Sequence, residues 1–247
     1  MLDFVDAFIL VFGASFLLGS IPFGLIVSKL FYKTDIREHG SGNIGTTNAI
    51  RTVGKVGGFL VLVLDFGKGI LAGLMALVAG GYFLQLRGLD GSAGSLLGIL
   101  APVSLAPMGD SQVFEVRLVG VLLAVAFLGC AWGHVFSPWL RFKGGKGVAV
   151  AAGCFLVTFG ALGLGIELAA FAVLALATRY ISVASLGAAT LCPFLALLFF
   201  WGNWPAVVLC CMVALTVFWA HRDNIRRLLM GTEPRVGSKK TQEGEAQ

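Results

Sequence analysis

Repeated apolar runs dominate this chain, and a helix needs about 20 mostly apolar residues to cross a bilayer. Residues 7–31, 57–80, 118–136, 148–164, 166–178, 183–201 and 204–220 read as such spans. Pro22 falls inside the first and is expected to kink it. The runs 148–164 and 166–178 are short and divided by a Gly-rich turn. Charged residues make up 13% of the chain, against roughly 25% in soluble domains, and mean hydropathy is +0.91. A soluble globular domain is thereby excluded. The expected fold is an all-α integral membrane protein, a compact bundle of seven transmembrane helices. One domain is expected over 1–235, followed by a disordered tail over 236–247. The Gly-rich segment 81–115, whose apolar run 92–105 is interrupted by Pro102, is expected to be interfacial or re-entrant. The start, Met-Leu-Asp-Phe-Val-Asp, is acidic and leads into a long apolar run, so the first segment reads as a retained helix, not a cleaved signal.

Seven spans put the loops 33–56 and 137–147, the turn at Arg179 and the C-terminus on one side. Counting Lys29 and Lys68 with that side, 16 of the 18 Lys and Arg fall there, with Arg87 and Arg117 opposite. Positive charge marks the cytoplasmic side, so the N-terminus is expected outside and the C-terminus cytoplasmic. Five spans would give the same sidedness. All five cysteines lie in apolar runs without a C-x-x-C or a neighbouring His, and read as small core residues; no metal is expected.

The densest chemistry is Arg141-Phe-Lys-Gly-Gly-Lys-Gly-Val-Ala-Val150, in which Lys143 and Lys146 alternate with Gly144, Gly145 and Gly147 before an apolar helix. Glycines let backbone N–H groups approach a ligand, and a helix start favours an anion. It is not a Walker A loop, because Gly147 follows Gly145-Lys146 and Leu140 stands where that motif needs glycine. The pattern suits a phosphate cradle, and equally a basic loop flanking a membrane helix.

Four further constellations share that side. In residues 40–51, Ser41, Asn43, Thr46, Thr47 and Asn48 offer neutral hydrogen-bonding groups and Arg51 a planar fork for phosphate oxygens. One such residue would serve as a helix cap; five with interleaved glycines favour a ligand site. Asp65 and Lys68 sit three apart within a span, either as a self-contained ion pair or with Lys68 reaching the same site. His134 reads as a loop anchor or a proton carrier, and Ser182 as a turn residue. His221 and Asn224 share a helical face at the exit of the last span, where Arg222 and Arg226 could meet lipid phosphates.

Three blocks together, Ser41-Gly-Asn-Ile-Gly-Thr-Thr-Asn-Ala-Ile-Arg51, Gly133-His-Val-Phe with Phe142-Lys-Gly-Gly-Lys-Gly-Val-Ala149, and His221-Arg-Asp-Asn-Ile-Arg-Arg-Leu228, resemble the signature blocks of the PlsY family of bacterial acyl-phosphate:glycerol-3-phosphate acyltransferases. Asp65-x-x-Lys68-Gly69 and Arg179-Tyr-x-Ser182 are similar to that family as well, over about residues 15–235. Thr46, where the family more often has Ala, and the long segment 81–115 depart from it. The resemblance implies a seven-helix enzyme of the bacterial inner membrane with cytoplasmic Gly-rich active-site loops. It would move a fatty acyl group from acyl phosphate to the sn-1 hydroxyl of glycerol 3-phosphate, without cofactor or metal, the first step of phospholipid synthesis. Carried over by motif, Ser41, Lys143, Lys146, His221 and Asn224 are expected to be catalytic. Asn43, Thr47, Asn48, Arg51, Lys68, Gly144, Gly145, Gly147, Ser182 and Glu233 are expected to bind substrate. The implied partners are the two substrates and membrane lipid, with no nucleic acid, and the chain is expected to work as a monomer.

Acyl phosphate is a mixed anhydride with a good leaving group, so direct attack by the glycerol hydroxyl needs no enzyme nucleophile. The H-x-x-x-x-D acyltransferases are excluded, because Ile44, Trp139 and Arg226 stand five places after His39, His134 and His221. A transporter would distribute its polar groups over both faces, and a lipid-binding structural protein would not need the Ser/Asn/Gly blocks.

Overall fold

The computed structural model describes residues 4–86 and 110–237. Its helices are α1 (Phe4–Ser20), α2 (Phe23–Tyr32), α3 (Thr46–Leu86), α4 (Asp110–Val135), α5 (Val148–Thr178), α6 (Ile181–Phe199), α7 (Trp204–Ala220) and α8 (Arg222–Leu229), and no strand occurs among the described residues. The expected kink at Pro22 is a full break between α1 and α2. The expected second span extends to Leu86 as α3, bent at Gly54. The rest of the expected re-entrant segment as far as residue 109, and the tail from 238, lie outside the described residues.

Among the described residues, five segments are long and apolar enough to cross a membrane, with α1 and α2 together forming one of them, or six if α7 and α8, bent by 55°, form one broken span. The sequence suggests seven; the difference from six lies in α5, which forms one apolar segment although its helix is broken at Gly160. The break expected near residue 165 falls instead at Gly160, whose φ of 70° and ψ of −176° belong to a region that only glycine enters readily. Periodicity and composition do not distinguish Gly160 from Gly163 or Gly165. Phe159, just before the break, packs on Phe199 and Phe200 at the far end of α6. Arg179 follows α5 next to the α6 start. The arms 148–159 and 161–178 therefore run out and back.

α4 is the axis of the bundle. Its span is 94% buried, and α1, α3, α5 and α7 all pack against it. With lipid outside, close packing and not hydrophobicity drives such association, which favours small residues at crossings. A side chain on Gly133 would collide with the Phe16 carbonyl, and one on Gly19 with the Cys130 carbonyl. Val78, Leu176, Phe194 and Leu215 point outward instead, as lipid-facing residues do. The five cysteines are free, four of them buried, in keeping with a packing role.

The polar loops collect at one end. Ser137 Oγ donates to the Ser20 carbonyl at 2.7 Å, Trp139 Nε1 to Ser20 Oγ at 2.8 Å, and Val236 N to the Arg179 carbonyl at 2.8 Å. At the opposite end Phe4 meets Phe83 and Asn203 Nδ2 donates to the Arg117 carbonyl. Gly133→Val should wedge α1 from α4 and cost about 1–3 kcal/mol, read as a lower unfolding temperature in detergent, whereas Val78→Ala on the outer surface should leave that temperature unchanged.

Candidate active site

The loop between α2 and α3 is built on two polar side chains. Asp35 caps the short helical turn Ile36–Glu38 by accepting from Arg37 N at 3.0 Å. The Arg37 side chain returns to the same carboxylate, Lys29 joins at 3.1 Å, and the Arg37 hydrogen bond holds the carboxyl well below its usual range. Asn48 is buried, and its amide donates to the carbonyls of Ile36, His39 and Asn43 while its oxygen accepts from Ser41 N. Asn43 Oδ1 accepts from Gly45 N at 2.9 Å. Asn48, expected at the substrate, thus spends its hydrogen bonds on its own loop. It leaves Ser41, Thr47 and Arg51 exposed, with Thr47 and Arg51 one turn apart on the start of α3.

The lysine–glycine loop folds back onto the end of α4. Gly144 N donates to the Val135 carbonyl and Gly145 N to the His134 carbonyl, each at 3.0 Å. These two N–H groups satisfy the last carbonyls of a helix and are not free for a phosphate, contrary to the expectation for Gly144 and Gly145. Gly147, at a left-handed φ of 81°, turns the chain into α5, whose first N–H groups have no intrahelical acceptor. Lys143 is exposed and Lys146 half-buried. Burial draws the Lys146 ammonium down to about 8, with Glu233 and Asp223 raising it and Arg227 and Arg51 lowering it. Residues from four separate segments therefore share one electrostatic neighbourhood.

The third segment leaves α7. His221 sits buried at the bend into α8, with Nδ1 2.8 Å from the Val217 carbonyl. A carbonyl only accepts, so the proton is on Nδ1 and Nε2 carries the lone pair of the neutral ring. Asn224, buried one turn on, donates to Glu233 Oε1 at 2.7 Å, and Arg227 Nε donates to Glu233 Oε2 at 2.7 Å. Burial acts to raise the Glu233 carboxyl, but Asn224, Arg227 and the nearby Ser182 hydroxyl together hold it below its ordinary value. Ser182 Oγ nevertheless has no hydrogen bond of standard geometry, and neither has Asn224 Oδ1. Both residues are buried, which leaves two polar atoms beside Glu233 and Lys146 open to a ligand.

Lys68 lies elsewhere. Its ammonium is buried, ion-paired with Asp65 Oδ1 at 2.8 Å and hydrogen-bonded to His134 Nδ1 and the Ile21 carbonyl, each at 3.0 Å. These contacts give Lys68 an internal role in place of the expected binding one. Sequence reasoning also missed the strap formed by residues 231–236, in which Arg179 and Val236 bond to each other and Arg235 bonds to Tyr180. Nothing in the linear pattern pairs those positions.

The fold and this cationic cluster at one end define a polytopic helical membrane protein with its charged and polar chemistry gathered at one end of the bundle. The family model described as glycerol-3-phosphate acyltransferase matches residues 9–231. The glycerol-3-phosphate acyltransferase of Maricaulis maris is 40% identical over 227 residues, covering 92% of this chain and 86% of that one. That of Roseobacter denitrificans is 38% identical, covering 91% and 92%. The crystal structure of PlsY (YgiH), an integral membrane glycerol 3-phosphate acyltransferase, in its glycerol 3-phosphate form, superposes with a TM-score of 0.67 at 30% identity, covering 93% of this chain and 96% of that one. The chain belongs to the PlsY family of glycerol-3-phosphate acyltransferases.

Lys146 can neutralise a phosphate group only as the ammonium, so activity that depends on it should be retained below pH about 8 and fall as pH rises through that value. Initial rates across pH should show kcat/KM falling on that limb, and Lys146→Arg should move the limb to higher pH, since a guanidinium stays charged.

Proposed function

We propose that this protein transfers a fatty acyl group from acyl phosphate to the sn-1 hydroxyl of glycerol 3-phosphate, releasing 1-acylglycerol 3-phosphate and inorganic phosphate. The observation that carries the proposal is the shared electrostatic neighbourhood of Arg51, Lys146, Arg227 and Glu233, next to the open polar atoms of Ser182 and Asn224. Both substrates carry a phosphate, and the pocket offers cations, a helix start and neutral donors without an obvious activated nucleophile. With the two arms of α5 counted separately the chain crosses seven times, N-terminus outside, and the charge bias supports a pocket on the cytoplasmic face of the inner membrane. The reaction would then begin phospholipid synthesis, and a single chain contains every group invoked.

In the mechanism the glycerol hydroxyl oxygen attacks the acyl carbon, a new ester C–O bond forms, and the C–O bond to phosphate breaks. Lys146, with Lys143 from the exposed face of the loop, neutralises the departing phosphate, while Arg51, Ser41, Asn43 and Thr47 border the other anion. Fixed donors of this kind act where charge develops. The hydroxyl proton goes to His221 Nε2, the lone-pair nitrogen left by the Val217 hydrogen bond. A second route sends it to a phosphate oxygen of the substrate. The two separate cleanly: with His221 as base, His221→Ala lowers kcat by roughly 10²-fold or more with KM for glycerol 3-phosphate nearly constant, whereas a change in KM alone assigns the proton to the substrate.

Purified protein given palmitoyl phosphate and glycerol 3-phosphate should form lysophosphatidate and phosphate, and Lys146→Ala should lose roughly 10²-fold or more in turnover. Product from palmitoyl-CoA or palmitoyl-acyl carrier protein, and none from palmitoyl phosphate, would reject the donor assignment.

A further inference from the structure

A buried ion pair within a membrane-spanning bundle is costly, and in this protein both members are buried. Lys68 ties three elements together: its own α3 through Asp65, the α1–α2 break through the Ile21 carbonyl, and α4 through His134. Paired with a carboxylate, Lys68 is an ammonium and can only donate. His134 Nδ1 must therefore accept, which fixes the ring proton on Nε2. That Nε2 edge lies directly beneath Gly145, where a methyl group would collide with Nε2, Cδ2 and Cε1 of the ring. The carbonyl of the same histidine accepts from Gly145 N at 3.0 Å. One residue thus grips Gly145 twice, and Lys146 is the next residue along. At the same level Gly69 packs on the Val150 carbonyl and Gly153 on the Phe66 carbonyl, contacts that a side chain would abolish. The start of α5 is therefore held against the helix that carries Lys68.

We propose that Asp65, Lys68 and His134 form a positioning network that sets the height of Gly145, and so of Lys146 and the first turn of α5, against the bound phosphate groups. The proposal rests on the reading that this loop binds an anionic substrate. It explains why Gly145 is glycine although its backbone conformation does not demand one: the imidazole occupies the space a side chain would take. None of the three residues touches substrate; they act through the loop.

The test is a double-mutant cycle in detergent-solubilised protein, measuring kcat, KM for glycerol 3-phosphate and unfolding temperature for Gly145→Ala, His134→Ala and the double variant. Displacing the loop by about 1 Å can cost roughly 10²-fold, and Gly145→Ala should lose about that much in kcat/KM, with a raised KM. Removal of the ring vacates the space beneath residue 145, so in the His134→Ala background the added methyl should cost at least roughly tenfold less. His134→Asn, shorter but still able to accept from Lys68, serves as a second background and should relieve Gly145→Ala in the same way with the unfolding temperature kept near that of the unsubstituted protein. Independent effects of the two substitutions, or loss of activity that follows unfolding temperature with KM unchanged, would overturn the proposal. The coupling can be read with whichever acyl donor the protein accepts, so a wrong donor assignment would not be mistaken for a failed network.

Discussion

An ammonium group inside an apolar bundle is stable only when its protons find acceptors, and the arrangement around Lys68 follows from that requirement. Its three partners lie on the α1–α2 break, on α3 and on α4. Satisfying one side chain therefore brings together the parts of the chain that carry the active-site loops. At the break beside Pro22 the Ile21 carbonyl accepts from both Phe23 N and Lys68 Nζ. Close glycine crossings of α1 with α4 at Gly19 and Gly133, and of α3 with α5 at Gly69 and Gly153, bring these helices into backbone contact.

From this base the site is assembled by loops that first satisfy themselves. Asn48 closes the α2–α3 loop, Gly144 and Gly145 close the end of α4, and Glu233 closes the last segment by accepting from both Asn224 and Arg227. These closures leave over the Lys146 side chain, the first N–H groups of α5, Ser182 Oγ, Asn224 Oδ1 and the lone pair of His221. Such a set has hydrogen-bond donors, acceptors and positive charge but no evident activated nucleophile. It suits the proposed reaction, in which an already activated acyl donor meets a hydroxyl and no covalent intermediate is needed. Lys146 gains from being half-buried, because its attraction for an anion is screened less than it would be at the surface.

Much of this was legible from the residues alone. Hydropathy identified an all-helical membrane protein, the distribution of Lys and Arg separated one end from the other, and the three Gly/Ser/Asn/Lys blocks indicated a phosphate-binding enzyme of the PlsY family. These features are local or compositional, and a bilayer translates them directly into spans and sides. The three-residue spacing of His221 and Asn224 likewise placed both on one buried face.

Tertiary structure decided how the polar groups divide between scaffold and pocket. Asn48, Lys68, Gly144 and Gly145 look like ligand-binding residues in the linear sequence, yet their donors are taken by carbonyls and side chains that lie far away in the chain or become available only when a helix ends. Ser182, weak as a signal by itself, becomes informative because folding buries it beside Glu233 without a hydrogen bond. The break in α5 falls at Gly160 and not at either later glycine for a reason of the same kind, since packing of Phe159 on Phe199 and Phe200 sets where the chain turns. Sequence thus determined which groups are present and which end of the bundle they occupy; only the packed chain, by fixing which donors and acceptors meet, determined which of them are satisfied within the protein and which are left unpaired.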